Sequence, residues 1–234
     1  MLGFYSVLYE KGRREKDEDS IALQKVTSIK GELMMALICD GCGGMEAGET
    51  ASGYAAEEMS IWFYDEFVPL IAGGGRKRDV QRSVNRKVYD IHEKLKSAGK
   101  RRGGRMGSTF TMFLNVGNVF YTFQTGDSAV MMLSRKRSGI ITEKHSKGGV
   151  LTRCIGSGEY RAPDMKSGKI GKCTAFLIMS DGMYKGLDIR EFSKALDPGI
   201  INGHESCLKR LKTLSEAASR RGDGDNISAL YLHF

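Results

Sequence analysis

Two short stretches, Leu33–Cys39 and Thr174–Met179, are apolar at nearly every position and stop abruptly, the first on Asp40-Gly41 and the second on Ser180-Asp181-Gly182. Runs this short fit strands buried on both faces better than helices, so the chain must build layers around a sheet. Further strand signals lie at Phe4–Tyr9, Ile21–Val26, Ser108–Val116, Val119–Thr125, Ala129–Ser134 and Asn226–Phe234. Gly117-Asn118 marks a hairpin between two of them. Helical spacing covers Glu49–Phe67 and Arg78–Ser97, the second with Val80, Val84, Val88, Ile91 and Leu95 on one face. Shorter helices are expected at Ile189–Leu196 and Glu205–Arg220, and Gly99–Arg105 reads as a loop. Adjacent strands interrupted by helix pairs predict an α+β fold with a sheet core and helices outside it. With 234 residues, 3 prolines and no internal repeat, a single domain over 1–234 is expected.

Several classes are excluded early. No uncharged apolar run approaches the roughly 18 residues needed to cross a bilayer. Met1–Tyr9 has neither the basic flank nor the small-residue cleavage site of a signal peptide. Five cysteines, an odd number, argue against a disulfide framework and for a reducing compartment. A cytoplasmic protein with no membrane association is therefore expected. The net charge of +8 is concentrated in one segment, because residues 76–105 hold 12 Lys/Arg against 3 Asp/Glu. That segment reads as a solvated helix face plus a loop, or as a patch for an anionic partner.

The acidic residues carry more information. Asp40, Asp127, Asp181 and Asp225 each sit at a strand end or tight turn, and Asp17-Glu18-Asp19 precedes another strand. Any one of them suits a β-turn, where Asp bonds its own backbone. Four at the ends of hydrophobic strands point further: if the ends converge, so many carboxylates need a cation between them. Carboxylates with backbone carbonyls suit the hard ions Mg²⁺ or Mn²⁺, whereas the four histidines show no ligand spacing for a softer metal.

These residues resemble a known family. Asp40-Gly41-Cys42-Gly43-Gly44, followed by Gly48-Glu49-Thr50-Ala51-Ser52, is similar to the D-G-x-G-G…G-E-x-A-S signature of metal-dependent (type 2C) protein serine/threonine phosphatases. Arg14 to Asp19 resembles the family's N-terminal block, and Gly107-Ser108-Thr109, Gly126-Asp127-Ser128, Ser180-Asp181-Gly182 and Gly224-Asp225-Asn226-Ile227-Ser228 follow in the family's order. The resemblance implies a four-layer α-β-β-α sandwich, two packed antiparallel sheets flanked by antiparallel helix pairs, with a two-metal site at one edge. It implies Asp40 bridging both ions, the Gly41 carbonyl on one, Asp181 and Asp225 on the other, and Glu18 holding metal-bound water with Asp19 behind it. Asp127 would help hold a third, weaker ion, as in bacterial members, and Arg14 would clamp the phosphate. The implied activity is hydrolysis of phosphoserine and phosphothreonine in proteins by a water shared between two Mn²⁺ or Mg²⁺ ions, without a phosphoenzyme. The implied partners are phosphoproteins, a Ser/Thr kinase and its targets.

Departures matter too. Cys42 stands where many relatives have His, a candidate acid for the leaving group, and Ala129 stands where Arg often follows G-D-S. Only five residues separate His145 from Leu151, where bacterial relatives carry a mobile flap; its loss predicts an open site with weaker flap-dependent selection. The competing reading is a catalytically weak or inactive scaffold that binds an anionic partner through 76–105. Nucleic acid is disfavoured, since Lys100–Arg105 has no interleaved aromatics. Cys39 and Cys42 read as packed thiols, the methionines as core filler, and Gly168–Thr174 as too poor a match for a phosphate-binding loop. His92 and His145 read as ordinary surface or turn residues.

Overall fold

The computed structural model describes residues 2–42, 47–135, 137–222 and 224–234. Gly43 and Gly44 of the expected turn lie outside the described residues. Strands β1 (Phe4–Glu10), β2 (Asp19–Ser28) and β3 (Gly31–Asp40) lead into helix α1 (Gly48–Trp62), a wider π turn (Phe63–Phe67), α2 (Val68–Ala72) and α3 (Lys77–Arg101). Next come β4 (Phe110–Val116), β5 (Val119–Thr125), β6 (Ala129–Ser134), β7 (Gly139–Ile140), β8 (Ser146–Lys147), β9 (Val150–Leu151), β10 (Asp164–Lys169) and β11 (Thr174–Met179). The chain ends with α4 (Asp181–Tyr184), α5 (Ile189–Ala195), α6 (His204–Arg221) and β12 (Ile227–His233).

The strands form two antiparallel sheets, β1-β12-β11-β6-β7 and β10-β5-β4-β3-β2, with β8 and β9 as a separate small hairpin. The two apolar runs occupy interior positions, β3 between β2 and β4 and β11 between β12 and β6. Side chains alternate across a strand, so each run serves two cores. Met34, Ala36 and Ile38 of β3 meet Phe176 and Ile178 of β11 between the sheets. Leu33, Met35, Leu37 and Cys39 face the opposite way, onto α1 and α3, while Ala175, Leu177 and Met179 face α5 and α6. The result is the expected α+β sandwich of four layers. Phe176 anchors the middle layer, its ring centroid 4.6 Å from Phe113 and 4.9 Å from Phe120. Val80, Val84, Val88, Ile91 and Leu95 are all buried, as the spacing in α3 requires.

Two local expectations are corrected, and one strand appears that the sequence pattern did not show. Gly99 does not open a loop; α3 runs through it to Arg101, and a side chain there would come within 2.8 Å of the Met106 backbone nitrogen. The glycine permits close packing within the helix. Residues 164–169 form β10, an edge strand paired with β5 from Asp164↔Gln124 to Lys169↔Val119. Its sequence lacks apolar alternation, because an edge strand draws on ladder hydrogen bonds and tolerates charge. His92 and His145 are buried rather than at the surface. His92 Nδ1 accepts the Gly156 N–H at 3.0 Å, and burial holds its imidazole below the usual histidine range.

Candidate active site

The acidic strand ends meet at one end of the sandwich. Asp19 opens β2 and Asp40 closes β3, and the antiparallel register sets them opposite each other. From the other sheet, Asp181 follows β11, Asp225 precedes β12 and Asp127 precedes β6. Arg14, Glu18, Asp40, Gly41, Asp127, Asp181 and Asp225 all line one cleft of about 580 Å³. Asp19 lies buried beside them and accepts a 2.6 Å hydrogen bond from Ser228 Oγ.

Backbone pairing fixes this geometry. Asp40 N–H donates to Thr109 Oγ1 at 2.9 Å, Thr109 N–H donates to Asp40 O at 2.8 Å, and Ser108 Oγ donates to the same carbonyl at 3.0 Å. Thr109 Oγ1 lies 2.9 Å from Ser128 Oγ, so residues 107–109 tie Asp40 to the turn carrying Asp127. Ser52 Oγ donates to Glu18 O at 2.6 Å and docks α1 against the start of β2. Gly41 lies so close to Gly48 that a Cβ would sit 2.5 Å from its carbonyl, and a Cβ on Gly182 would sit 2.1 Å from Asn226 O. Only glycine allows those two backbone approaches.

Concentrated negative charge raises the carboxyl pKa values. Asp40 keeps some solvent contact, yet burial first, then the charges of Asp19, Asp181, Asp225 and Asp127, hold it well above the ordinary carboxylate range. Burial pushes Asp19 up to about 7 despite hydrogen bonds from Ser228 and Ser180. Asp127 is pushed up to about 6 by burial and the Asp181 charge, against Lys144 and Lys185. Glu18 is raised by burial and Glu49, with Lys16 and Arg14 opposing. Asp181 instead pairs with Lys185 Nζ at 2.7 Å, and Asp225 with Arg14 at 3.0 Å and Lys185 at 3.6 Å.

Among the described residues, no three His, Cys, Asp or Glu side chains already stand as a metal cage. The donor chemistry nonetheless fits a hard divalent ion: the set is oxygen only, and Asp19 Oδ1 is buried without a hydrogen-bond partner. Cation binding would draw Asp181 and Asp225 from their present partners. Arg14 lines the same cleft, its guanidinium 3.0 Å from Asp225.

The sequence from residue 12 to 214 matches the family model described as protein phosphatase 2C. The chain belongs to the protein phosphatase 2C family. No curated protein matches it. A structure described as a bacterial serine phosphatase superposes with a TM-score of 0.83 at 19% identity, covering 100% of this chain and 98% of the other. The serine/threonine phosphatase Stp1 from Staphylococcus aureus gives 0.82 at 19% identity, covering 100% and 95%. The catalytic domain of the serine/threonine phosphatase PstP, in complex with two manganese ions, gives 0.77 at 20% identity, covering 98% and 96%. At those identities the likeness is one of fold.

Within this phosphatase 2C fold, some positioning residues escaped the sequence reading. Asn226 Oδ1 accepts the Glu18 N–H at 3.0 Å, while Nδ2 donates to Lys11 O at 2.7 Å and Lys16 O at 2.9 Å. One amide thus clamps the loop that carries Arg14 and Glu18; its only signal was its place after Asp225. His145, expected at the surface, is buried behind Gly126, whose N–H donates to Nδ1 at 3.1 Å. That assigns the proton to Nε2, which donates to Asp164 at 2.8 Å. Burial works against the Asp164 carboxylate, but bonds from Arg153 and His145 outweigh it and hold the carboxyl below its usual range. The latch spans residues 126, 145 and 164 and became visible only once the chain had folded.

The short 145–151 segment is the β8–β9 hairpin, and residues 149–154 and 157–159 supply a wall of the cleft. Cys42 is buried, and the neighbouring Cys154 together with burial pushes its thiol pKa up. All five cysteines are free, and Cys39 is fully buried in β3.

Proposed function

We propose that this protein is a metal-dependent phosphatase that hydrolyses phosphoserine and phosphothreonine in proteins, the whole of 1–234 acting as one catalytic unit. The observation that supports this reading best is the convergence of five carboxylates from both sheets, with Arg14, on one cleft. Asp40, the Gly41 carbonyl, Asp181 and Asp225 would hold two Mn²⁺ or Mg²⁺ ions, with Glu18 reaching them through water and Asp127 serving a third. Divalent ions, when bound, supply activation of an attacking water and neutralise phosphoryl charge. Arg14 contributes a planar fork that orients the phosphate for in-line attack. Asp19, held by Ser228, fixes the position of its cross-strand neighbour Asp40. The protonated Cys42 thiol is a weak acid, so the leaving group takes its proton from solvent.

Substrates of this kind come from a Ser/Thr kinase in the same compartment, which the free cysteines suggest is the cytoplasm. Among the described residues, no helix is long and apolar enough to cross a membrane. The test is turnover of a phosphothreonine peptide with Mn²⁺, with Mg²⁺ and with chelator. Activity that requires a divalent ion and disappears in Asp40→Ala and Asp181→Ala is expected; unchanged turnover in either variant defeats the assignment.

A further inference from the structure

The basic segment 76–105 is not uniform in the folded protein. Along α3 its cations meet acids of the same helical layer: Arg86 pairs with Glu66 at 2.5 Å, Lys87 pairs with Glu58, and Lys94 lies 3.9 Å from Glu58 and over the Tyr54 ring. At the C-terminal end this pairing stops. Arg101, Arg102 and Arg105 are exposed and make no direct ion pair or side-chain hydrogen bond with the described residues, Arg102 acting on Glu49 only at longer range.

Two cavities lie on either side of the Arg105–Met106 step. Arg105 lines the catalytic cleft. The next residue, Met106, joins Tyr54, Leu95 and Ala98 in lining a second groove of about 470 Å³ between α1 and α3, with Arg101, Arg102 and Lys94 outnumbering the one acid, Glu93, among its charged lining residues. A concave apolar floor, a rim of guanidinium groups without a direct ion pair among the described residues, and a position one residue along the chain from the cleft lining together suit an extended chain.

We propose that this groove binds the polypeptide flanking the phosphorylated residue, and that Arg101, Arg102 and Arg105 select substrates with Asp or Glu beside it and an apolar residue further along. The inference rests on the phosphatase reading above and deepens it to a substrate class. Charge complementarity supplies the selection, since the rim arginines are exposed and have no direct ion pair to break among the described residues. A nucleic-acid strand fits less well: the groove offers one aromatic ring, Tyr54, where successive bases need a series of stacking platforms.

The test compares two phosphothreonine peptides that share an apolar residue and differ only in carrying Glu or Lys beside the phosphoresidue, assayed with Mn²⁺. The Glu peptide is expected to have a kcat/KM about tenfold higher, the scale of two exposed ion pairs, and the ratio should shrink at high salt. The double variant Arg101→Glu/Arg102→Glu should erase or invert that ratio. A second readout, independent of turnover, is fluorescence anisotropy of the unphosphorylated Glu peptide, with binding to the wild type and loss in the double variant. Equal kcat/KM for both peptides, or no anisotropy change, overturns the inference while leaving the phosphatase reading intact. Failure to hydrolyse either peptide or p-nitrophenyl phosphate defeats both. Tighter binding of a single-stranded oligonucleotide of equal charge overturns it in favour of a nucleic-acid site.

Discussion

Replacing Asp19 with Asn should stabilise the metal-free protein, and do so more at neutral pH than in acid. Asp19 is 3% exposed, one of its oxygens lacks a partner, and burial raises its carboxyl from 3.8 to about 7. The sign follows from proton linkage. Below about pH 4 the carboxyl is protonated in both folded and unfolded chains and its ionisation costs nothing. As the pH rises toward 7 the unfolded chain releases the proton while the folded one retains it, so stability falls; above 7 the full cost is present. At 1.36 kcal/mol for each tenfold difference in proton affinity, that cost is about 4 kcal/mol near pH 7.5 and about 1 kcal/mol near pH 4.5. Asn cannot ionise, and its amide oxygen can still accept from the Ser228 hydroxyl. The assay is urea denaturation of wild type and Asp19→Asn in chelator at both pH values, so that other titrating groups cancel in the difference. The variant should gain about 3 kcal/mol more at pH 7.5 than at pH 4.5, and added Mn²⁺ should narrow the gap by stabilising the wild type. An equal effect at both pH values, or destabilisation at pH 7.5, would refute the claim that Asp19 is a buried and insufficiently compensated charge.

Asn226→Ala removes an amide that makes three bonds to residues 11–18. It should cost about 2–3 kcal/mol in denaturant unfolding and depress turnover by more than that stability loss explains. Arg14→Ala should raise KM for phosphopeptide at least tenfold with little change in melting temperature, because the side chain is half exposed and its pair with Asp225 is a surface one. Gly182→Ala forces a methyl group to within 2.1 Å of Asn226 O and should destabilise the protein by about 2–3 kcal/mol, read from the urea midpoint. Phe176→Ala should lose about 3–5 kcal/mol by opening a cavity between the sheets, also read from the urea midpoint.

What was legible in the sequence was whatever local pattern dictates. Leu33–Cys39 and Thr174–Met179 had to be interior strands because no alternating face was left for water, and their acidic ends marked where the ladders stop. The valine and isoleucine series in α3 fixed its buried face. What stayed hidden depends on partners far along the chain. β10 reads as polar because an edge strand draws on the backbone of β5. His92 is buried through Gly156 and His145 through Gly126 and Asp164, pairings that no window of neighbouring residues contains. Gly99 was misread for the same reason, since a helix glycine kept for close packing looks like a helix breaker until its neighbour at Met106 is known.

The acids collect at one end of the sandwich because charge has no place in the rest of it. From Leu33 to Cys39 in β3 and from Ala175 to Met179 in β11 every residue contributes to a core on one face or the other, so carboxylates are confined to the ends of these strands and the turns beyond them. Two antiparallel sheets packed face to face bring several such termini to the same edge. Their backbones are then held by ladder bonds and by residues 107–109, which prevents the side chains from separating to relieve repulsion. The apolar layers thus supply the free energy that keeps unfavourable carboxylates together, and burial with mutual repulsion raises Asp19, Asp40 and Asp127 in the direction such a cost requires. A divalent cation entering the cleft would recover part of it. Ion affinity and folded-state stability should therefore move in opposite directions when these acids are neutralised one at a time.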